Sequence, residues 1–254
     1  MRNKVKKTIF IAFFTLFIFL LILSVSSNEI VQEKMNTKNV LIELFINTKC
    51  TICPKAAFCL EDLAWSYESG KVILLEEHIW EDGYDIPETN ERYNWYTEDS
   101  VKGTPDIFFN GLSERIQGLC CDCDDISKHI LSCKSIIEKE LTKTSPLDLS
   151  AEQSYLENNI IIQGQLRNIS QKPLQNLIIR GIIYFEGEES EFFYLVKDIF
   201  DSQNINQLAC LEVKEFNFIS RLELTEKNNA DKYHSVIFIQ DKLSKEILQS
   251  LLIR

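Results

Sequence analysis

Cys50-Thr51-Ile52-Cys53 is the segment of this chain best placed to do chemistry. Two thiols three residues apart at a helix start come within bonding reach. The first would meet unpaired N–H groups and the positive end of the helix dipole, which stabilise a thiolate. Lys49 and Lys55 add positive charge beside it. A thiolate at Cys50 attacks a disulfide and forms a mixed disulfide, and Cys53, one turn on, then displaces the attacked partner. The spacing alone is shared with zinc sites, so the surrounding elements must decide.

Val40 to Ile46 reads as a buried strand, apolar except for Glu43. Cys50 to Ser69 follows as a helix: Pro54 suits its first turn, Ala57, Leu60, Ala64 and Tyr67 recur at helical spacing, and Gly70 ends it. Lys71 to Trp80 is a second strand and Pro87 to Thr97 a second helix. Asp106 to Asn110 and Glu114 to Gln117 are strands joined by an Asn110-Gly111 hairpin signal. Asp125 to Lys143 is an amphipathic helix. Thr144-Ser145-Pro146 reads as a linker, after which the apolar period changes to two. Strands are expected at Asn159–Leu166, Leu177–Phe185, Phe192–Ile199, Val213–Ile219 and Ser235–Gln240, with Leu243–Leu252 a strand or short helix. Short strands so spaced indicate a β-sandwich of immunoglobulin-like kind.

The β-α-β-α-β-β-α order over residues 38–143 resembles the thioredoxin-like superfamily, and three motifs carry the resemblance. The acid-containing strand Val40–Phe45 precedes the dithiol, the dithiol opens a helix, and Thr104-Pro105 precedes the strand Asp106–Phe109. The resemblance implies that Glu43 is a buried carboxylate assisting proton transfer from Cys53. It also implies that Pro105 follows a cis peptide whose backbone receives the substrate chain. The sequence departs from the family's pattern in having Lys49 before the pair, Thr51-Ile52 within it, and a loop one residue longer between Glu43 and Cys50. The tail Val236–Asp241 and Lys245–Gln249 is similar to exported bacterial proteins that join such a domain to a sandwich. The expected organisation is thus an α/β thioredoxin fold at 38–143 and an all-β immunoglobulin-like sandwich at 147–254, with an N-terminal hydrophobic helix at 1–27.

A second thiol cluster, Cys120, Cys121, Cys123 and Cys133, should lie near the dithiol, because the strand ending at Gln117 returns to that end of the sheet. Structural disulfides, for example from Cys59 to this segment, are the leading reading. A relay to Cys50–Cys53 and a thiolate site for copper(I) or zinc are the others. Connectivity among eight cysteines is not legible in sequence. Cys210 is expected to be a buried inert thiol, His129 to sit on an exposed helix face, and His78 to be a strand residue without a ligand role. Trp80, Tyr93, Trp95 and Tyr96 read as core more readily than as a substrate-contacting patch.

Arg2, Lys4, Lys6 and Lys7 precede an apolar run at 8–25, so this segment is expected to be a signal peptide or a membrane anchor. The basic flank stays in the cytoplasm and residues 28–254 lie outside. The whole chain carries a formal charge of -11, and the first 27 residues hold four cations and no acid, so the remainder bears -15. Such a body repels nucleic acid. The function expected is extracytoplasmic thiol–disulfide exchange with exported proteins and a redox partner protein, needing no cofactor and no metal. The alternatives are a thiolate metal-binding protein and a redox-silent binding or adhesion module.

Overall fold

A computed structural model describes residues 36–118, 126–156, 158–187, 193–221 and 227–254. The apolar segment at 8–25 and the thiols Cys120, Cys121 and Cys123 lie outside the described residues. Among the described residues no helix is long and apolar enough to cross a membrane.

The order of elements in the first half follows the apolar pattern. After a short β1 (Asn36–Thr37) come β2 (Val40–Ile46), α1 (Cys53–Trp65), β3 (Val72–His78), α2 (Pro87–Tyr96), β4 (Asp106–Phe109), β5 (Glu114–Gln117) and α3 (Ile126–Leu141). β2 and β3 run parallel across the α1 crossover, and β4 and β5 join antiparallel beyond β2. β2 is buried along its whole length because both of its faces are covered. Ile42, Leu44 and Ile46 share a core with Ala56 and Leu60 of α1 and Cys133 and Ile137 of α3. Phe45 packs instead with Tyr93 and Tyr96 of α2.

The second half supplies β6 (Thr144–Ser145), β7 (Leu147–Leu156), β8 (Asn159–Asn168), β9 (Leu174–Glu186), β10 (Tyr194–Ile199), β11 (Gln203–Leu208), β12 (Val213–Ile219), β13 (Tyr233–Asp241) and β14 (Ile247–Ile253). These strands do not stand apart from the first half. The main sheet runs β14-β13-β9-β10-β3-β2-β4-β5, with β11 also on β9. Its junction is the parallel pairing of Leu195 with Glu76. The Glu76 carboxylate also accepts the Tyr194 N–H at 2.7 Å. The three strands β12-β8-β7 pack on the far part of this sheet through Ile160, Ile162, Leu166, Phe216 and Phe218 against Ile179, Ile183, Ile237 and Ile239. One wall of the expected sandwich is therefore an extension of the sheet that carries the dithiol.

The expected linker is also not a break in the fold. Thr144 and Ser145 form β6 and pair with β1, and the described residues of both halves belong to one compact unit. Sequence periodicity marks where strands begin and end but not which strand pairs with which, and this pairing was not legible.

The Asn110-Gly111 turn ties the halves together. Both residues have positive φ, 49° and 66°. The Asn110 side chain accepts from Leu41 N and donates to Glu140, while its carbonyl accepts from Ile247 N at 2.9 Å. A Cβ on Gly111 would lie 2.1 Å from the Lys245 carbonyl oxygen. Gly111→Ala is therefore expected to lower unfolding free energy by roughly 2–4 kcal/mol, measured by urea denaturation. A loss below about 0.5 kcal/mol would show that the β14 turn yields freely.

Candidate functional site

Three loops meet at one end of the sheet. β2 leaves at Ile46, paired with His78 at the end of β3, and Phe45 pairs with Asp106 at the start of β4. The dithiol loop, the segment from Ile79 to Ile86 and the peptide before β4 are thus neighbours by register. The Thr104–Pro105 peptide is cis. Its surroundings are fixed by Asp106, which takes two N–H groups of Arg115 at 2.8 and 2.6 Å and the Tyr93 hydroxyl at 2.9 Å. The Tyr93 oxygen in turn accepts from Gly103 N at 2.9 Å.

Cys50 and Cys53 are bonded to one another, with Cα atoms 5.4 Å apart. The helix is shorter than its sequence pattern suggests: it opens at Cys53, with Pro54 next and Ile52 at the cap. Cys50 lies in the preceding turn, where its N–H bonds to Asn47 O at 2.9 Å and its carbonyl accepts from Cys53 N at 3.2 Å. The two sulfur-bearing residues differ in access: Cys53 is fully buried, and Cys50 is half-buried at the edge of the core. Ile52 between them is exposed.

Glu43 is buried as expected, but not beside the dithiol. Successive side chains of a strand point to opposite faces, so Ile42 and Leu44 face α1 while Glu43 faces α2. There its carboxylate accepts from Arg92 Nε, and from the Tyr96 hydroxyl at 2.7 Å. Arg92 also donates to the Tyr96 oxygen at 2.6 Å and has Glu77 at 3.8 Å. Gln240 of β13 donates to the same Tyr96 oxygen at 2.8 Å. Burial, reinforced by the Glu43 charge, holds Glu77 protonated well above the ordinary carboxylate range. Burial and the neighbouring Arg92 charge lower Arg180 of β9 to about 10. The structure thus gives Glu43 a partner in Arg92, a residue the sequence reading did not single out. The only sequence signal was the four-residue spacing of Arg92 and Tyr96 on one helix.

Of the other thiols, Cys59 and Cys133 are both buried and both free. Burial raises the Cys133 thiol to about 12, with Cys59 close enough to contribute. His129 lies 3.7 Å from the Cys133 sulfur and is buried, not on an exposed face, because its helix turns that side onto the sheet. Cys59 and Cys133 are not bonded to one another, and the remaining thiols of the expected cluster lie outside the described residues. Cys210 is exposed rather than buried. Among the described residues no group of three or more His, Cys, Asp or Glu is arranged to hold a metal ion. Tyr93 and Tyr96 are core, and Trp80 is partly exposed with its ring 5.7 Å from Tyr93.

No family model and no curated protein matches this chain. Among solved structures it is similar to HBP35 of Porphyromonas gingivalis, with a TM-score of 0.64 at 14% identity over 85% of this chain and 75% of that one. A domain of the outer membrane lipoprotein Omp28 from Porphyromonas gingivalis aligns at a TM-score of 0.33, 10% identity, over 43% of this chain and 88% of that one. Bacteroides uniformis beta-glucuronidase aligns at a TM-score of 0.30, 17% identity, over 42% of this chain and 12% of that one. The last two overlaps are too weak in shape to support an argument. The likeness to HBP35 shows a shared fold and no more. The resemblance to the thioredoxin-like superfamily is corrected accordingly: no family model matches, and the expected self-contained α/β domain followed by a separate sandwich is replaced by one sheet running through both halves.

Two measurements follow from these environments. In the native protein an alkylating reagent at pH 8 should modify Cys210 at least about tenfold faster than Cys59 or Cys133, read by peptide mass mapping. Glu77 has a folded pKa above its unfolded one, so its contribution to stability is fully present below about pH 4 and declines as pH rises from there. Glu77→Gln is neutral at every pH and should lose this decline, being at least as stable as wild type at pH 7 by urea denaturation. An unaltered pH profile would show that Glu77 is ionised in the fold.

Proposed function

We propose that this chain is an extracytoplasmic thiol–disulfide exchange protein working through Cys50 and Cys53. The observation that carries the reading is the bonded Cys50–Cys53 pair, accessible at Cys50 and buried at Cys53. In this reading a substrate thiolate attacks the Cys50 sulfur, a mixed disulfide forms, and the Cys50–Cys53 bond breaks with its electron pair on Cys53, which takes up a proton. The substrate's second thiolate then attacks its own sulfur in the mixed disulfide and releases Cys50. Two electrons and two protons pass from the substrate dithiol to the protein, and the substrate leaves as a disulfide. The same steps in reverse reduce a substrate disulfide.

No cofactor enters, because electrons move only between sulfurs. Glu43 is given no proton-transfer role, since its carboxylate is committed to Arg92 and Tyr96 on the far face. Thr104 and Pro105, at the same sheet end, supply the backbone along which a substrate chain lies. The basic flank and apolar run at 1–25 support export, with thiols or disulfides of exported proteins and a redox partner protein as the reacting groups.

Cys50→Ser should reduce the rate of exchange with a disulfide-containing peptide by at least about 100-fold. Cys53→Ser should accumulate a mixed disulfide on Cys50, visible by intact-mass spectrometry. Full exchange activity in Cys50→Ser would sink the proposal.

A further inference from the structure

The dithiol loop is held from the side by a buried pair that the exchange steps do not use. The carboxylate of Asp82 accepts the Thr48 N–H at 3.0 Å, two residues before Cys50. The same oxygen lies 2.6 Å from His78 Nδ1, and both side chains are fully buried. Asp82's other oxygen is also engaged, accepting from Tyr84 N at 3.0 Å and Asp85 N at 3.2 Å. A second bond crosses between the same loops: Asn47 Nδ2 donates to Ile79 O at 2.6 Å. Trp80 and Glu81, the residues leading into Asp82, both have positive φ, 67° and 53°. For side chains with a Cβ this backbone costs about 1 kcal/mol or more per residue, so the surrounding bonds must hold it.

Fixing Asp82 so firmly fixes Thr48. Thr48 and Lys49 are exposed, and apart from Thr48 Oγ1 on the Asp82 carbonyl at 3.4 Å the loop's other bonds stay within it: Lys49 N to Asn47 Oδ1 at 2.9 Å, Cys50 N to Asn47 O at 2.9 Å and Cys53 N to Cys50 O at 3.2 Å. A loop that holds two sulfurs in bonding geometry favours the disulfide, because the reduced form then regains little freedom when the bond opens.

Resting on the exchange reading of Cys50 and Cys53, we propose that Asp82, oriented by His78, is the positioning residue of the dithiol loop and stabilises its disulfide form against the dithiol. Both groups act through Thr48 and touch no substrate.

The test is the equilibrium of the full chain with a glutathione redox buffer, following the Cys50–Cys53 pair by alkylation and mass mapping. Asp82→Ala should shift the equilibrium at least tenfold toward the dithiol, which is about 30 mV. Asp82→Asn, with its amide oxygen in the place of the shared oxygen, still accepts from Thr48 N and from His78 Nδ1, gives up only the acceptor that faces Tyr84 N and Asp85 N, and should stay within about threefold of wild type. His78→Phe keeps the Asp82 carboxylate but removes the ring nitrogen that orients it, and should shift the equilibrium about threefold in the direction of Asp82→Ala. It provides the reading if Asp82→Ala fails to fold. Wild-type behaviour in both Asp82→Ala and His78→Phe overturns the inference. So does an Asp82→Asn shift as large as that of Asp82→Ala, which would show that the bond to Thr48 N is not what holds the disulfide form. If the wild-type pair neither reduces in the buffer nor exchanges through Cys50, the exchange reading itself has failed.

Discussion

An ionised carboxylate can be buried only where the fold delivers its partners, and Glu43 states that requirement most plainly here. Its charge is met by Arg92 from α2 and the hydroxyl of Tyr96, with Glu77 from β3, Arg180 from β9 and Gln240 from β13 around them. These groups come from sequence positions nearly 200 residues apart. Leaving one partner out would strand a charge in a low-dielectric interior, at a cost of several kcal/mol. The cluster can therefore form only when α2 covers β2 and β3 while β9 and β13 extend the same sheet. Local helix and strand preferences impose no such condition.

The constraint separates scaffold from chemistry. The charged cluster occupies the face of the sheet covered by α2, and the dithiol belongs to α1 on the other face. What reaches the dithiol is the end of the sheet, where β2, β3 and β4 deliver the Cys50 loop, the Asp82 loop and the cis peptide to one edge. Side chains that act on other molecules gather at such strand ends because the backbone there is released from the ladder and can present groups outward. Asp106 illustrates the division of labour. It is buried, takes both Arg115 and Tyr93, and fixes the Thr104–Pro105 segment without facing the sulfurs itself.

Much of the first half could be read from the chain alone. Val40–Ile46 is apolar on both faces apart from Glu43, as befits a strand covered on both sides. The Asn110-Gly111 pair announced a turn with positive φ at both residues, and the structure has it. Failures came where a residue's meaning depends on a distant partner. Glu43 looks the same in sequence whether it faces the dithiol or Arg92, and parity along β2 decides only once the helix covering each face is known. His78 is a strand residue as expected, but its bond to Asp82 was not legible, because Asp82 lies in a loop of turn-forming residues, Glu81-Asp82-Gly83-Tyr84-Asp85, whose conformation no periodicity describes. Cys210 was misjudged because exposure is a property of packing and not of residue type.

What the sequence determined by itself is therefore local: the dithiol and its helix, the order of strands and helices through residue 141, and the turn at Asn110-Gly111. These follow from side-chain periods, proline and glycine geometry, and spacing, all of which act over a few residues. Only the tertiary structure decided that β10 joins β3, so that the two halves share one sheet. It also decided that Glu43 belongs with Arg92 and that Asp82 holds the dithiol loop. The physical reason is common to all three: backbone ladders and buried charges take their partners by proximity in space, and nothing along the chain encodes that proximity until the core has closed.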